Sequence, residues 1–287
     1  MKKSPLELIP AETTRAARAV FHSSNWYMRI GDQLPHVLAG IPVKSLTSNG
    51  EVPAEFSALL ALITLFQIQE HLTDPQAEDA GRIRIDWKYA LHLPMFHPGL
   101  QAQMLCDFRL KLYASENNRS YFQQIINNMR KLDLWKNETQ IYAEQVSKAV
   151  CTFNRLESVR DKMAAALEII ALKEPGWLRD SILSHWYSRY TRTAPQRMGD
   201  EGNALSVANA IGKDILYLLT LVNSTGLESL ASLREVEALR RVLHEQYELT
   251  SSGTSESPEL RWRETNCVYF DGDWPVAGLP YRRCYEG

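Results

Sequence analysis

The chain has 287 residues, of which 45% are hydrophobic and 23% charged, and its formal net charge is -2. This length and composition supply ample core material and are typical of soluble globular proteins. The near-neutral charge excludes a uniformly basic, histone-like DNA binder.

Membrane and zinc-binding classes are also disfavoured by the sequence. No run approaches the roughly 18 consecutive apolar residues of a membrane span. The two lysines of the opening MKKSPLELIP precede no apolar stretch, so no secretory signal is predicted. The four cysteines form no CxxC pair, which favours reduced thiols in a cytoplasmic protein: Cys106, Cys151, Cys267 and Cys284.

Helices are predicted throughout the first part of the sequence. The segment from Glu55 to His71 is apolar nearly all round, which indicates a buried central helix. Thr73 and Gln76 form a capping box at the start of the next helix, and Asp86 is expected to cap a short helix, DWKYALHL. The remaining helices of this part are predicted at about 11–21, 24–38, 100–115 and 120–132.

The second part is predicted to be helical up to about residue 248. One long helix, about 140–173, has an apolar face at three- and four-residue spacing: Leu156, Val159, Met163, Leu167 and Ile170. Further helices are expected at 175–191, 204–223 and 228–248. The composition of 250–258 is that of a flexible linker, and the tail suggests a short hairpin around an Asp-Gly turn or an extended segment.

The predicted fold is therefore mainly α. It comprises a helix-turn-helix-like domain at 1–136, a second helical region at 137–249, and a linker with a short non-helical or hairpin tail at 250–287.

Positive charge is concentrated in one stretch. Residues 80–136 hold nine Lys or Arg against four Asp or Glu. This is either the electrostatic footprint of a nucleic-acid site or an ordinary solvated helix face, and charge alone leaves both open. The candidate DNA contacts are Arg82, Arg84, Lys88, Tyr89, Arg109 and Lys111.

Not all of these candidates are equivalent. The heads of Lys88 and Arg84 have little reason to be buried, so they are the better candidates. Arg109 and Lys111 point to different sides of one helix, so at most one of them is expected in a groove. Tyr89 also belongs to an aromatic set, with Trp26, Tyr27 and Trp87, that is more typical of a core.

Several stretches resemble the N-terminal half of bacterial insertion-sequence transposases of the DDE type. They keep the order and spacing of that family over roughly residues 7–263, and RIDWKYAL is the most specific of them. The resemblance implies that the first domain recognises terminal inverted repeats, with the helices from Thr73 to Tyr113 at the DNA. The matching stretches are SNWYMRIGDQLPHVL, LLALITLFQIQEHLTDPQAEDA, RIRIDWKYALHLP, LCDFRLKL, FNRLES and EVEALRRVLHEQYE.

The same resemblance implies a catalytic centre in which three carboxylates on a ribonuclease H-like sheet bind two divalent cations. In that family the first Asp lies a dozen residues before the NRLE motif, and here Tyr142 takes its place. A neutral tyrosine does not supply an anionic oxygen to Mg²⁺. Glu138 and Glu144 are nearby, but the pattern around them favours a helix over a strand. The family's second Asp and its Glu would follow where the sequence ends, so we expect no phosphodiester chemistry.

Other chemistry is not indicated. Ser181, Ser184 and His185 lack a glycine-rich elbow and an acidic orienting residue, and the Asp-Gly turn explains Asp271 and Asp273 without a metal. His92 and His97 flank a turn and are more typical of caps than of phosphate contacts. No glycine-rich loop suggests a bound nucleotide, and we expect neither metal nor cofactor.

The leading hypothesis is a sequence-specific protein for double-stranded DNA, derived from a transposase, that regulates transcription or targets a larger assembly. It would be a non-enzymatic, cytoplasmic, nucleoid-associated protein without a membrane segment, acting as a homodimer or as a subunit. One alternative is a fragment or subunit of a transposase whose catalytic half lies elsewhere. A second alternative is a helical protein-interaction module that does not bind DNA.

Overall fold

The computed structural model describes residues 8–41, 54–114, 116–135, 143–190, 201–224, 228–250 and 259–263. These residues form thirteen helices and one two-stranded sheet, so the predicted mainly-α class is confirmed. The helices are α1 (Ala11–Val20), α2 (Trp26–Val37), α3 (Ala54–Glu70), α4 (Asp74–Ile83), α5 (Ile85–Ala90), α6 (Ala102–Ala114), α7 (Glu116–Lys131), α8 (Ala143–Lys173), α9 (Pro175–Ser181), α10 (Ser184–Tyr190), α11 (Glu201–Ser224), α12 (Glu228–Ala231) and α13 (Arg234–Gln246). The strands are β1 (Tyr247–Thr250) and β2 (Glu259–Trp262).

The described residues divide into two compact units. Unit 1 runs up to Cys151 and unit 2 begins at Thr152, so the division falls inside α8. The predicted boundary at 136–137 lies outside the described residues.

Unit 1 is built around α3, which is buried on nearly every side as its apolar sequence predicts. Phe66 of α3 is fully buried and is surrounded by the rings of Trp26, Tyr27 and Trp87, with centroids 5.4, 4.9 and 5.1 Å away. All three pairs are edge-on, the geometry that aromatic quadrupoles favour. This aromatic cluster joins α2, α3 and α5.

The start of α4 follows the predicted capping box. The Gln76 amide N–H donates to Thr73 Oγ1 at 3.4 Å, and the Thr73 amide N–H donates to Gln76 Oε1 at 3.0 Å. The predicted cap of the next helix is wrong, because α5 begins at Ile85 and Asp86 lies within its first turn. The Asp86 carboxylate instead accepts hydrogen bonds from the Arg84 guanidinium.

Close packing between α2 and α5 depends on Gly31. A Cβ at this position would lie 2.5 Å from Tyr89 Cδ1 and 2.8 Å from the Tyr89 carbonyl oxygen. His92, just after α5, adds a second contact with α2, since its Nε2 lies 2.8 Å from the Gly31 carbonyl oxygen. The two helices therefore approach more closely than any side chain at position 31 would permit.

In unit 2, the apolar face of α8 is largely as predicted. Leu156, Val159, Met163 and Ile170 are buried, whereas Leu167 is half-buried. The helix predicted at 175–191 is instead two helices, α9 and α10, because Ile182 adopts an extended conformation with ψ 137.

The helix predicted at 228–248 is divided between α12 and α13, and α13 ends at Gln246. Tyr247 then begins β1, which pairs antiparallel with β2 in the register Tyr247 to Trp262. These two rings are buried 5.1 Å apart, and burying them together favours the strand over another helical turn. The two strands thus lie on either side of the predicted linker in the sequence. Asp271 and Asp273 lie outside the described residues.

The segment Ala204–Ser224 of α11 is long and apolar enough to cross a membrane by length and composition, and 44% of the tested window is buried within the structure. Its buried residues include Ala208, Ile211, Ile215 and Leu218, and its middle carries Lys213 and Asp214. The core helix of a soluble protein can have the same length and composition, so α11 is compatible with the soluble globular class that the sequence predicts.

We expect Gly31→Ala and Gly212→Ala each to lower the free energy of unfolding by about 1–3 kcal/mol, because the added methyl groups overpack buried contacts. At Gly212 a Cβ would lie 2.3 Å from the ring of the buried Tyr247. Gly176→Ala is the matched control, since nothing lies within 4 Å of its Cβ. Urea denaturation followed by circular dichroism measures the effect, and equal stability of all three variants would contradict the packing argument.

Candidate nucleic-acid interface

Arg84 lies in an ion-pair cluster and not, as the sequence suggested, on an open surface. Its Nη1 donates to Glu70 Oε1 at 2.8 Å, and its Nη2 donates to Asp86 Oδ2 at 2.7 Å. The guanidinium carbon also lies 5.0 Å from the ring centroid of Tyr27 and 5.2 Å from that of Trp87. Two carboxylates and two aromatic faces therefore occupy this cation, and the expectation of a free head was wrong.

The pKa of the Glu70 carboxylate reflects its hydrogen bonds within this cluster. Burial alone would raise the pKa of Glu70, but hydrogen bonds from Arg84 and from the Tyr27 hydroxyl outweigh it, so the pKa lies below its usual value. In turn, burial and the neighbouring Glu70 raise the pKa of Tyr27. Glu70 thus remains ionised and its charge is matched within the fold.

Arg109 is fully buried and forms a bidentate pair with Asp74. Its Nη1 and Nη2 donate to Asp74 Oδ1 and Oδ2 at 2.7 and 2.5 Å, and Gln67 Nε2 donates to Oδ1 at 2.8 Å. The pair links α6 to the first turn of α4 and to α3. Arg109 is therefore a structural residue and is not accessible to DNA.

Lys88 and Tyr89 are also buried, which corrects the expectation that the Lys88 head is exposed. The Lys88 ammonium donates to the Met95 carbonyl oxygen, and burial lowers the pKa of Lys88. The Tyr89 hydroxyl donates to Asp32 Oδ1 at 2.6 Å and accepts from Arg18 Nη2 at 3.1 Å. Both side chains stabilise the end of α5 and its packing.

Arg82 is the most exposed of the predicted cations, whereas Lys111, like Arg84, is only partly exposed. The Arg82 side chain is 56% exposed and pairs with Asp79 one helical turn earlier. Lys111, near the end of α6, is half-buried. An exposed pair such as Arg82–Asp79 contributes little to stability, so its guanidinium remains available to another anion.

The basic excess of residues 80–136 has a structural explanation. The ten residues before it, 70–79, carry four carboxylates and no Lys or Arg. Three of them, Glu70, Asp74 and Asp79, pair with Arg84, Arg109 and Arg82 in the fold. Much of the apparent patch is therefore neutralised by acids just outside the stretch in which the cations were counted.

His71, Leu72 and Thr73 form a short turn between α3 and α4, a connection of the length found in DNA-binding helix-turn-helix pairs. In such pairs the second helix reads the major groove. Here α4 carries Asp74, Glu78 and Asp79 against the single cation Arg82. The acids of α4 outnumber its one cation, so the helix as a whole offers phosphates little attraction and is a poor recognition helix.

Helix α7 has the surface chemistry that α4 lacks, and the sequence reasoning missed it. Its inner face is buried through Tyr121, Phe122, Ile125, Ile126 and Met129. The outer face presents a polar row at spacings of three and four residues: Ser120, Gln123, Asn127 and Lys131. The helix has three cations, Arg119, Arg130 and Lys131, and one acid, Glu116, in its first turn. The missed signal was the series of amide side chains in ENNRSYFQQIINNMRK.

Some amides of α7 are structural. Asn128 Nδ2 donates to the Val37 carbonyl oxygen at 2.9 Å, Gln124 Nε2 to that of Gly40 at 3.2 Å, and Asn118 Nδ2 to that of Lys111 at 2.8 Å. Gln123 and Asn127 instead bond to each other on the exposed side at 3.3 Å. The helix is thus fixed along its flanks while its outer row faces solvent.

The FNRLES motif that supports the family resemblance lies on α8 and is buried at Asn154, Arg155 and Ser158. The Arg155 guanidinium lies 4.4 Å from the Trp262 ring centroid and donates to Gln246 Oε1 at 2.9 Å. The motif therefore anchors the β-hairpin of unit 2.

His185 has an acidic partner that the sequence could not place. Its Nε2 lies 3.2 Å from Asp214 Oδ1, and Asp214 also accepts from Arg189 and from the Tyr190 hydroxyl at 2.7 Å. Burial and Asp214 raise the pKa of Tyr190. Among the described residues the His185 ring meets no serine hydroxyl, so this cluster links α10 to α11 without forming a nucleophilic site.

The predicted loss of the catalytic centre falls mostly on residues outside the described ranges, including Tyr142 and Glu138. From Ala143 onward the chain is helical, as its pattern indicated. Within the described residues, no group of three or more His, Cys, Asp or Glu is placed to hold a metal ion. Comparison with protein-family models, curated proteins and solved structures found no match.

We expect Asp74→Ala or Arg109→Ala to lower the free energy of unfolding by about 3–5 kcal/mol, because either change leaves an unpaired charge buried. Arg82→Ala, which breaks the exposed pair, should change it by about 1 kcal/mol or less. Urea denaturation of the three variants measures the contrast. Equal effects of Arg109→Ala and Arg82→Ala would contradict a structural role for Arg109.

We expect stability to fall below about pH 4.5, partly through Glu70. Its folded pKa is depressed, so its contribution is present above the unfolded pKa and is lost as pH falls through the folded one. Glu70→Gln should therefore destabilise the protein at pH 7 by about 1–3 kcal/mol and show a shrinking difference from the wild type towards pH 3. Urea midpoints across pH 3–7 test this, with a constant difference as the contrary result.

Proposed function

We propose that this chain is a sequence-specific protein for double-stranded DNA, derived from a transposase and acting without phosphodiester chemistry. The observation that carries the proposal is the outer face of α7, which combines amide, hydroxyl and cationic side chains. Helix α7 replaces the Thr73–Tyr113 helices as the main candidate for the DNA contact.

The chemistry of the α7 row suits a duplex. Amide side chains such as Asn127 and Gln123 can bond bidentately to the N6 and N7 edge of adenine in the major groove. Lys131, with Arg130 next to it, supplies charge for the phosphates that flank the groove. The helix is about 24 Å long. Its diameter of about 10–12 Å matches the width of the major groove, about 12 Å.

The proposal that the protein does not cut DNA rests on the tyrosine at position 142 and on the helical conformation that begins at Ala143. A helix does not present carboxylates as the strands of a ribonuclease H-like sheet do. We propose that the chain regulates transcription or targets a larger assembly in the cytoplasm, at the nucleoid, as a homodimer or subunit. A transposase fragment whose catalytic half lies elsewhere is the alternative.

A protein-interaction module is a second candidate function, favoured by exposed apolar side chains in unit 2. Tyr187 of α10 is 75% exposed, and Leu216 and Tyr217 of α11 are 42% and 40% exposed. Exposed side chains of this size are typical of protein contacts when they form one patch.

Selection from a random duplex library followed by fluorescence anisotropy tests the proposal. We expect Lys131→Ala to weaken binding on all sequences and to lower the salt slope by about 1, since it removes one phosphate contact. Asn127→Ala should relax preference at one base pair by about 1–3 kcal/mol. Lys173→Ala is the matched control, because Lys173 is likewise an exposed lysine that ends a helix, α8.

Several outcomes would count against the proposal. Absence of duplex binding at low salt would overturn it and leave the protein-interaction module. Binding that Lys131→Ala and Lys173→Ala weaken equally would exclude α7 as the interface. Mg²⁺-dependent nicking of the selected duplex would overturn the proposed lack of chemistry.

A further inference from the structure

The turn between α5 and α6 displays one aromatic side chain entirely to solvent. Phe96 is 97% exposed, the highest value among the exposed large hydrophobic residues described. Leaving a phenylalanine in water forgoes the stabilisation that its burial would give. Exposed apolar side chains that occur singly are common, so a binding role for Phe96 depends on how its backbone is held and on the charge around it.

The backbone around Phe96 is held on several sides. The His97 amide N–H donates to the Pro94 carbonyl oxygen at 3.0 Å, and the Lys88 ammonium donates to that of Met95. Pro94 and Pro98, each two residues from Phe96, restrict the backbone further. The backbone that carries the ring is therefore held in place, and Phe96 is not at the tip of a loose loop.

Contacts at both ends of the turn add to its rigidity. Thr13 Oγ1 donates to the Leu93 carbonyl oxygen at 2.8 Å. Gly99, with φ +88, packs so closely on the end of α4 that a Cβ there would lie 3.1 Å from the Arg82 amide nitrogen. The turn is thus tied to α1, α4 and α5 within unit 1.

The charge around the turn favours a polyanion as the partner. No Asp or Glu occurs from Trp87 to Cys106, and among the described residues no carboxylate pairs with the Lys88 ammonium under the turn. On the adjoining turn of α4, Asp79 pairs with Arg82, and Glu78 Oε2 accepts from the Ala102 amide at 2.8 Å. An apolar ring on a stretch without carboxylates suits a base step between two phosphates better than a cationic protein surface.

We infer that Phe96 is a wedge that inserts between adjacent base pairs of the bound duplex. Apolar side chains, including Phe and Leu, are used in this way to unstack and kink DNA, at flexible pyrimidine–purine steps above all. The inference rests on the DNA-binding function proposed above and adds to it a deformation of the DNA. Arg82, which is exposed on the adjoining turn of α4, supplies a cation for a phosphate beside the opened step.

The wedge and α7 are separated by a distance that one DNA site can span. Helix α6 begins shortly after the turn and ends next to α7, and its thirteen residues span about 20 Å. This is less than one turn of B-DNA, about 34 Å.

Relaxation of closed circular plasmid by topoisomerase I in the presence of the full chain tests the inference, since insertion between base pairs unwinds the duplex. At saturating protein the wild type should leave negatively supercoiled plasmid after relaxation and deproteinisation. Phe96→Ala should leave none, and should bind duplex about tenfold more weakly, as loss of one stacking contact predicts. Phe96→Leu should retain unwinding, and Ile83→Ala, which removes another exposed apolar side chain, should leave it unchanged.

The outcomes separate the two proposals. If the wild type binds no duplex, the proposed function itself fails. If it binds duplex but does not unwind plasmid, or if Phe96→Ala unwinds as well as the wild type, the wedge is excluded while DNA binding stands. Loss of self-association by Phe96→Ala without DNA, measured by light scattering, would assign the ring to a protein contact instead. Because Phe96 is exposed, its variants should keep the wild-type unfolding midpoint, which verifies that they fold.

Discussion

The Arg84 guanidinium determines how unit 1 is assembled, because three helices meet around it. Glu70 ends α3, Tyr27 lies on α2, and Asp86 and Trp87 begin α5, and each of these side chains contacts the same planar cation. A guanidinium can serve all of them at once, since it donates along its edges and stacks on its faces, whereas a lysine ammonium cannot. The most specific stretch of the family resemblance, RIDWKYAL, contains Arg84 and Trp87. Its Arg84 and Trp87 side chains are therefore accounted for by packing within unit 1 without reference to DNA.

The helices could be predicted from the sequence because their signals are local. A helix-length run that is apolar nearly all round and the Thr73–Gln76 capping box placed α3 and α4 within a residue or two. The assignment of site residues depended on distant partners, and there the sequence was insufficient. Arg109 is paired with Asp74, thirty-five residues away, and His185 with Asp214, twenty-nine residues away. The end of α13 was missed for the same reason. Strand β1 is stabilised by pairing with β2 and by packing of the Tyr247 ring against Gly212, and both partners are distant in sequence.

Charged side chains have different roles in two parts of unit 1, the range Glu70–Arg109 and helix α7. Between Glu70 and Arg109, the three arginines are paired with acids inside the fold or along α4, and the buried pairs hold the helices together. On α7 the flanking amides bond to backbone carbonyls, while the outer row has no acid after Glu116. A surface with cations and uncharged hydrogen-bonding groups attracts phosphate without repelling it. Location of charge within the fold, and not its sum along the sequence, therefore identifies the candidate interface.

Phe96 and the α7 row differ from the rest of unit 1 in one physical respect. Most large apolar side chains of the unit are buried and most cations are matched by carboxylates, so folding explains them. An exposed ring on a braced turn, and a row of polar side chains on a firmly held helix, gain little from folding. Rigid support under side chains that contribute nothing to the core is what a binding surface needs, because it lowers the entropy lost when a partner is bound. The side chains that folding leaves unexplained thus lie on the same two surfaces where charge favours a polyanion.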